Sequence, residues 1–584
     1  MVEARFAQKS RDVRLALVGL LLLVACGAGR SAVPVKTGAA AQGRRLLLVR
    51  GTIVRADGSE VTDAVVTVEG NRITRVGWWR NDAVPPGATV IGGPRTWLLP
   101  GLIDAHVHFF QSGGLYTRPD VIDLRARVSY EKERESVRAA LPETFRRYLR
   151  AGITSVVDFG GPRWNFEVRD LARRTELAPR VAIAGPLLAS VARPQLDLGD
   201  PPIVEVNDPD SARAIVRSQA AGKPDFVKLW WIVSPGQSAA DWLPVARAAI
   251  EEAHALGLRV AVHATELETA RAALRAGADV LVHSVIDADV DADFVELLRE
   301  RNVPYVTTLA VFGGYERVLN HEVRLDAAAM ELASPSIVST VLEPFVVPQG
   351  RYREPLGPEA ARNVRRLWTA GAVVVAGSDA GNIGTFHAAG LHEELELLVE
   401  SGLSPAQALA AATVNGARLM GRSDLGALEP GNLADLLVLD ANPLVDVRNA
   451  RRIRFVVKDG VAYRPEEILR RTAVDVVQAQ LNAYNAQDLE AFLSTYAEDA
   501  VIVKSGTGKV LASGRTALRE RYGALFKRFP SNRARVAERK TEGEGVVLDH
   551  EVVTGRGPEK PDPWDSGWVR YEVASGVIRR VELP

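Results

Sequence analysis

The 584-residue chain is poor in sulfur, with one cysteine and three methionines. A single cysteine excludes an internal disulfide framework. No excess of charge of either sign is present. Lys+Arg and Asp+Glu each number 72, for a formal net charge of zero. That balance lacks the basic surplus that nucleic-acid partners demand. Charge runs such as "YEKERES" (130–136) read as solvated helix faces. The apolar stretch from Leu15 to Ala25 has 11 residues, too few for a comfortable membrane span. Histidine is scarce as well, with nine in the chain. What remains is an ordinary globular composition, 47% hydrophobic and 25% charged. The length suggests roughly three or four domains.

The single cysteine sits at an informative place. Arg5, Lys9, Arg11 and Arg14 form a basic segment, the apolar stretch follows, and Leu23-Val24-Ala25-Cys26 ends it. This is the layout of a secretory signal. Its last four residues resemble a bacterial lipobox, which implies lipidation at Cys26. An ordinary signal with a chance cysteine is the plainer alternative. Residue 27 is Gly rather than Asp, so in a Gram-negative cell the expectation is an outer-membrane anchor facing the periplasm. Residues 27–43 are small and polar, as in a flexible tether.

From Arg44 the texture becomes β-rich, in "LLLVRGTIV", "AVVTVEGNRITRVG" and "ATVIGG", with turns at Asp57-Gly58 and Gly70-Asn71. It returns in residues 425–463. Between these stretches, apolar runs alternate with amphipathic helical segments. "LLPGLIDAHVH", "ITSVVDF", "RVAIAG", "DFVKLW", "LRVAVHA", "DVLVHSV", "VPYVTTL" and "AVVVAGSDA" are the strand candidates. Nearly all-apolar strands fit a parallel sheet covered by helices. Eight such units predict a (β/α)8 barrel over residues 98–423, between the two β-rich stretches 44–97 and 424–463.

Polar residues interrupt those apolar strands. His106 and His108 stand one residue apart in the first, in "GLIDAHVHFF". Side chains at i and i+2 of a strand share a face, so both imidazoles project into one space. Lys228 is placed at the end of the fourth strand, His263 of the fifth, His283 of the sixth and Asp379 of the eighth. The C-terminal ends of barrel strands form the rim where active sites are built. A lone strand histidine is more often a satisfied core residue, and a lone aspartate often caps a helix. A lysine inside an apolar strand is costly unless paired or modified. The joint occurrence of all six at one rim points to a metal site, for which Zn²⁺ is the default ion with imidazole and carboxylate ligands.

With these motifs the chain resembles the amidohydrolase superfamily, near its imidazolonepropionase-like and Xaa-Pro or Xaa-Arg dipeptidase branch. "PGLIDAHVH", "FVKLW", "VAVHA", "VLVHS", "VAGSDAG", "EELELLVESGLSPAQALAAATVNGARLMG" and "GALEPGNLADLLVLDANPL" carry the likeness over residues 44–463. The resemblance implies that the two β-rich ends, 44–97 and 424–463, pair as a β-sandwich flanking the barrel. It implies that His106, His108 and Asp379 bind one metal, and that His263 and His283 bind a second. A carboxylated Lys228 would bridge both ions, and Asp379 would serve as the catalytic proton carrier. The implied activity is hydrolysis of an amide, peptide or cyclic amide by metal-activated hydroxide. Relatives with a single metal lack the lysine, so the mononuclear state stays an alternative.

Four further rim and strand residues admit two readings each. His387 and His392, just after the eighth strand, either touch substrate or pack. Trp230 and Trp231 either wall a pocket or fill core. His254, in mid-helix, reads as surface. Substrate choice is assigned to loops 109–127, 186–210 and 309–355, the last a candidate lid.

Residues 472–584 change texture again and resemble the nuclear-transport-factor-2-like (SnoaL-like) fold, in "QLNAYNAQDLEAFLSTYAEDAVIV", "SGRTALRERYGALF" and "DHEVVTG". An α+β cone with a pocket is implied. That fold hosts isomerases, ligand binders and modules for homo-oligomerisation alike. Tyr484, Tyr496, Asp499 and His550 are either an acid–base set or packing residues. Two rival readings follow: an inactive barrel on a binding lipoprotein whose cone recruits a ligand or partner, and a cone that is itself the enzyme.

Overall fold

In a computed structural model, residues 46–80, 84–347, 357–558 and 560–584 are described. The signal segment, the tether and Cys26 lie outside the described residues. Among the described residues no helix is long and apolar enough to cross a membrane.

The two β-rich ends form one sheet. Its seven strands run in spatial order Val461–Tyr463, Ile453–Lys458, Leu436–Leu439, Thr89–Pro100, Leu46–Val54, Glu60–Glu69 and Arg72–Trp78. The seam between the ends is antiparallel, with Leu436 opposite Pro100 and Leu439 opposite Trp97. Alternation directs Val49, Ile53, Val66, Val68, Leu436 and Val438 into a core of the sheet's own. Glu60 and Arg72 stay outside.

Eight parallel strands then close a barrel: β1 (Leu102–Val107), β2 (Ile153–Asp158), β3 (Arg180–Ile183), β4 (Phe226–Trp230), β5 (Arg259–His263), β6 (Val280–Val282), β7 (Tyr305–Val306) and β8 (Val374–Val375). Continuous ladders join β1 to β3 and β4 to β8. Single parallel bridges, Ala184 to Phe226 and Val107 to Ala380, complete the ring. Small and apolar side chains, among them Ala105, Val157, Phe159, Phe226, Ala261, Val282, Val306 and Val375, fill the interior. The barrel is thus a packed core with a chemical rim.

The crossover helices begin where the sequence supplies caps. Asp208 accepts from Ser211 N at 2.9 Å ahead of Pro209–Ala220, whose first residue is proline. Ser238 and Asp241 form a capping box at the start of Ala239–Ala255. At the far end of the barrel's seam, Gly377 lies so close to β1 that a Cβ would come within 2.9 Å of His106 N. Only glycine allows that approach.

The strand candidates are longer than the strands. "VPYVTTL" supplies a ladder only at Tyr305–Val306, and "AVVVAGSDA" only at Val374–Val375. The reason is at the rim. His283, Thr308 and Asp379 adopt φ of 78°, 46° and 57°, which turns the chain out of the sheet.

The C-terminal module is a six-stranded sheet, ordered Val510–Ser513, Tyr496–Lys504, Val577–Leu583, Trp564–Ala574, Val546–Thr554 and Arg533–Glu542. Helices Ala473–Asn485, Leu489–Ser494 and Gly514–Arg528 cover it. It docks on the barrel through Ala473–Asn485, where Asn482 Nδ2 donates to Pro335 O at 2.8 Å.

Candidate metal centre

All six residues named from the sequence reach one end of the barrel. His106 projects from β1, His108 directly follows it, and His263 ends β5. His283 directly follows β6 and Asp379 lies four residues beyond β8, both at left-handed backbone positions. Such φ values cost a non-glycine residue about 1–3 kcal/mol each and persist where surrounding structure enforces them. Lys228 corrects the sequence expectation in one respect. It is the third of five residues in β4, opposite Ala261 of β5, and not the strand's end. It shares the inner face with Phe226 and Trp230, while Val227 and Leu229 point outward to the helices.

The ligand-type atoms of His106, His283 and Asp379 all lie within 4.8 Å of one another. Asp379 Oδ1 is 3.4 Å from His106 Nε2 and 3.2 Å from His108 Nε2, and its Oδ2 is 4.0 Å from His283 Nδ1. The rings of His263 and His283 have centroids 4.2 Å apart. His108, Lys228, His263, His283 and Asp379 line a pocket of about 270 Å³.

Buried polar atoms normally find hydrogen-bond partners. Here both ring nitrogens of His106, Nζ of Lys228 and Oδ1 of Asp379 have none. His106 is fully buried and Lys228 is 1% exposed. Burial, Lys228 and the neighbouring histidines hold His106 well below the usual imidazole range, and burial does the same to His263 and His283. Neutral imidazoles offer lone pairs. His108 Nδ1–H donates to Gly160 O at 2.7 Å, which leaves its Nε2 lone pair directed at Asp379. His283 Nδ1 shares a 2.7 Å hydrogen bond with Thr308 Oγ1. This donor set of nitrogens and a carboxylate fits a divalent transition-metal ion. The lysine is the exception, because an ammonium repels a cation. Burial lowers its pKa to about 7, against the opposing pull of Asp379.

Behind the ligands, Asp104 accepts from Ser378 N at 2.9 Å and Ser378 Oγ at 2.6 Å, which ties β1 to the segment holding Asp379. Burial raises its pKa to about 7. Asp158 accepts from Phe109 N and Gly160 N at 3.0 and 2.9 Å and so fixes the turn that holds His108.

His387 and His392 do not line this pocket. His387 Nε2–H donates to Gln111 O at 2.8 Å, so Nδ1 accepts from Tyr148 OH at 2.9 Å, and the ring stacks on Phe109. His392 Nε2–H donates to Ala151 O at 2.9 Å. Burial lowers both pKa values to about 4. Both are neutral packing residues, and the substrate role considered for them is withdrawn. Each tryptophan takes one of its two readings: Trp230 walls the pocket, and Trp231 is buried against Trp242. His254 is surface, bonded to Asp279 Oδ2 at 2.8 Å.

No sequence pattern marked the pocket's other wall. Arg118 holds Asp120 through Nε and Nη2 at 2.8 and 2.7 Å and reaches Asn382 Oδ1 with Nη1 at 2.7 Å. Arg193 stacks over Trp230, 4.8 Å from the ring centroid, with Nε 3.4 Å from the same Asp120. Two cations thus share one carboxylate beside the metal-ligand cluster. Only their location, in loops 109–127 and 186–210, was legible.

Comparison with known proteins agrees with this architecture. A family model described as "Amidohydrolase family" matches residues 97–463, and one described as "SnoaL-like domain" matches 477–581. An uncharacterized protein of Mycobacterium tuberculosis is 29% identical over 59% of this chain and 80% of its own length. An imidazolonepropionase of Streptomyces avermitilis is 27% identical over 65% of this chain and 81% of its own. Among solved structures, a Xaa-Pro dipeptidase with bound methionine shares the fold with a TM-score of 0.55 at 22% identity. That match covers 72% of this chain and all of the other. With the barrel, its flanking sheet and the rim residues in place, the chain belongs to the amidohydrolase family and is a hydrolase acting on carbon–nitrogen bonds, with a SnoaL-like domain behind the barrel.

Proposed function

We propose that the protein is a metal-dependent hydrolase of small amides that end in a carboxylate, such as dipeptides or N-acyl amino acids, with cyclic amides as the alternative class. The observation that carries the metal reading is the group of buried, partnerless atoms on His106, Lys228 and Asp379. His106, His108, His263, His283 and Asp379 would hold divalent ions, for which zinc is the first candidate. Such an ion supplies a water of lowered pKa and a polarised substrate carbonyl. Lys228 would complete a two-ion set if its neutral amine adds to carbon dioxide and loses a proton, giving a carbamate whose two oxygens share one negative charge. An amine with a pKa near 7 is ready for that reaction. Asp379 would accept a proton beside the reacting centre and return it to the leaving nitrogen.

Phe110, Trp230 and Phe312 give the pocket apolar walls, and Arg118 sits among them. Arg118, lining the pocket beside the metal-ligand cluster, supports an anionic substrate end. The names of the dipeptidase and imidazolonepropionase relatives support the same bond class. Metal analysis of the purified protein tests the reading. About two zinc ions per chain, with hydrolysis lost on chelation, is the expected result. One ion per chain would favour the mononuclear state. A screen of dipeptides, N-acyl amino acids and lactams with zinc and bicarbonate identifies the substrate class. We further read residues 1–26 as a lipoprotein signal that anchors the enzyme at the outer membrane, facing the periplasm. Palmitate labelling that vanishes in Cys26→Ala is the expected outcome.

A further inference from the structure

A second cavity, larger than the one at the metal cluster, is present among the described residues. It lies inside the C-terminal cone, between the helix Gly514–Arg528 and the concave face of the six-stranded sheet, and measures about 630 Å³. A volume of that size accommodates a small organic molecule.

Its lining is divided by chemistry. Tyr522, Phe529 and Trp564 supply flat aromatic walls. Deep inside, Gln480 is 5% exposed, and its Oε1 has no hydrogen-bond partner although Nε2 donates to Tyr496 OH at 3.2 Å. Glu551 accepts from Tyr571 OH at 2.6 Å, and burial raises the carboxyl's pKa to about 7. The cationic lining side chains are Lys504, Arg521, Arg528, Arg556 and Lys560, against the single acidic side chain of Glu551. Arg556 is the best placed of them. Its guanidinium sits 5.8 and 5.9 Å from the ring centroids of Phe529 and Trp564. Its Nη2 donates to Tyr484 OH at 3.3 Å, and its Nε is buried with no partner.

Two buried, unsatisfied polar atoms of opposite character therefore belong to side chains that line one aromatic cavity: a donor on Arg556 and an acceptor on Gln480. Leaving such atoms unpaired costs about 1–3 kcal/mol each. A ligand that answers both carries an anionic group for the arginine and a hydrogen-bond donor for the glutamine, with a flat apolar body between. We propose that the C-terminal cone binds an aromatic organic acid as a second small-molecule site, with its carboxylate on Arg556, its ring among Tyr522, Phe529 and Trp564, and a polar N–H or O–H on Gln480 Oε1.

The site stands apart from the metal cluster, and its test does not require hydrolysis. Isothermal titration calorimetry of the full chain with 6-hydroxy-2-naphthoate, and with the neutral 6-hydroxymethyl-2-naphthol as control, reads it directly. Saturable one-to-one binding of the acid is expected. Arg556→Gln should weaken the acid at least tenfold and leave the neutral control within about twofold, because only the acid loses a charge-assisted hydrogen bond. Leu525→Trp, which fills cavity space from a partly exposed helix position, should abolish binding of both while the zinc content stays unchanged. Absence of saturable binding by the acid would overturn the proposal. So would an affinity that Arg556→Gln does not move, since the probe would then be seated elsewhere, as in the barrel.

Discussion

The barrel rim and the C-terminal cone solve opposite problems with buried polar atoms. At the rim, His108, His263, His283 and Asp379 line a space of about 270 Å³, and His106 Nε2 packs against Asp379 Oδ1 behind it. In the cone, the polar atoms are dispersed around an apolar space of more than twice that volume, and donors and acceptors are mixed. A cluster of acceptors selects for a compact cation. A dispersed set on aromatic walls selects for shape and for an organic ligand. One chain therefore carries a site defined by charge density and a site defined by volume.

That contrast can be broken most forcefully at the rim. Asp379→Asn, or removal of metal by chelation, should lower hydrolysis by about 10³-fold or more, because ion-mediated charge stabilisation is worth several kcal/mol. The cone's affinity for the naphthoate probe should not change in the same preparation. A steady-state assay run beside calorimetry checks both. Loss of both properties together would mean that the two regions are not separate sites.

The reverse separation is reached through Phe492, fully buried in the cone among Tyr484, Tyr496, Tyr522 and Phe526. Phe492→Ala should cost about 3–5 kcal/mol of that module's stability. Denaturant unfolding followed by tryptophan fluorescence should show an earlier transition, with zinc retained by the barrel. Smaller still is the effect of Thr308→Ala, which removes the 2.7 Å partner of His283 Nδ1. Metal affinity should fall about 10- to 100-fold, as measured by competition with a chromogenic chelator. Stability should barely move, because alanine also keeps the strained φ of that position.

The smallest effect compares two buried carboxyls. Burial lifts Glu394 of the barrel to about 8, although Thr307 Oγ1 and Ala310 N hydrogen-bond it, and lifts Glu551 of the cone to about 7. Each folded form holds a proton that the unfolded chain releases near pH 4.5. Their contribution is therefore fully present below pH 4.5 and is lost as pH rises toward 8 and 7 respectively. Glu394→Gln and Glu551→Gln should each flatten the fall in stability over that window. Denaturation midpoints at pH 5 and pH 8 test the sign. An unchanged slope in both variants would place the ionised forms in the fold.

Much of the rim was legible because strand geometry is local. His106 and His108 share a face by alternation alone, and Lys228 in "FVKLW" stood out because an apolar strand gives an amine no partner. His387 and His392 were ambiguous for the converse reason. Their partners, the carbonyls of Gln111 and Ala151, lie 276 and 241 positions away. No sequence pattern marks a backbone carbonyl as an acceptor. Arg118 was invisible in the same way, since Asn382 Oδ1 and Tyr315 OH reach it from segments far away in the chain. In the cone, the tyrosines were noticed, but Tyr484 and Tyr496 are core residues that wall a cavity, and Arg556 attracted no attention in an ordinary loop.

Alternation, apolar runs and polar interruptions by themselves determined the eight-stranded barrel, the flanking β-rich ends and the six residues of the rim. Each follows from backbone period and from the cost of burying a polar group, both properties of a short segment. The tertiary structure decided which histidines point into the pocket, which arginines stand beside it and how large a space the cone encloses. Those outcomes depend on distances between segments that share no local pattern, so only ring closure and the docking of helices on sheets could fix them.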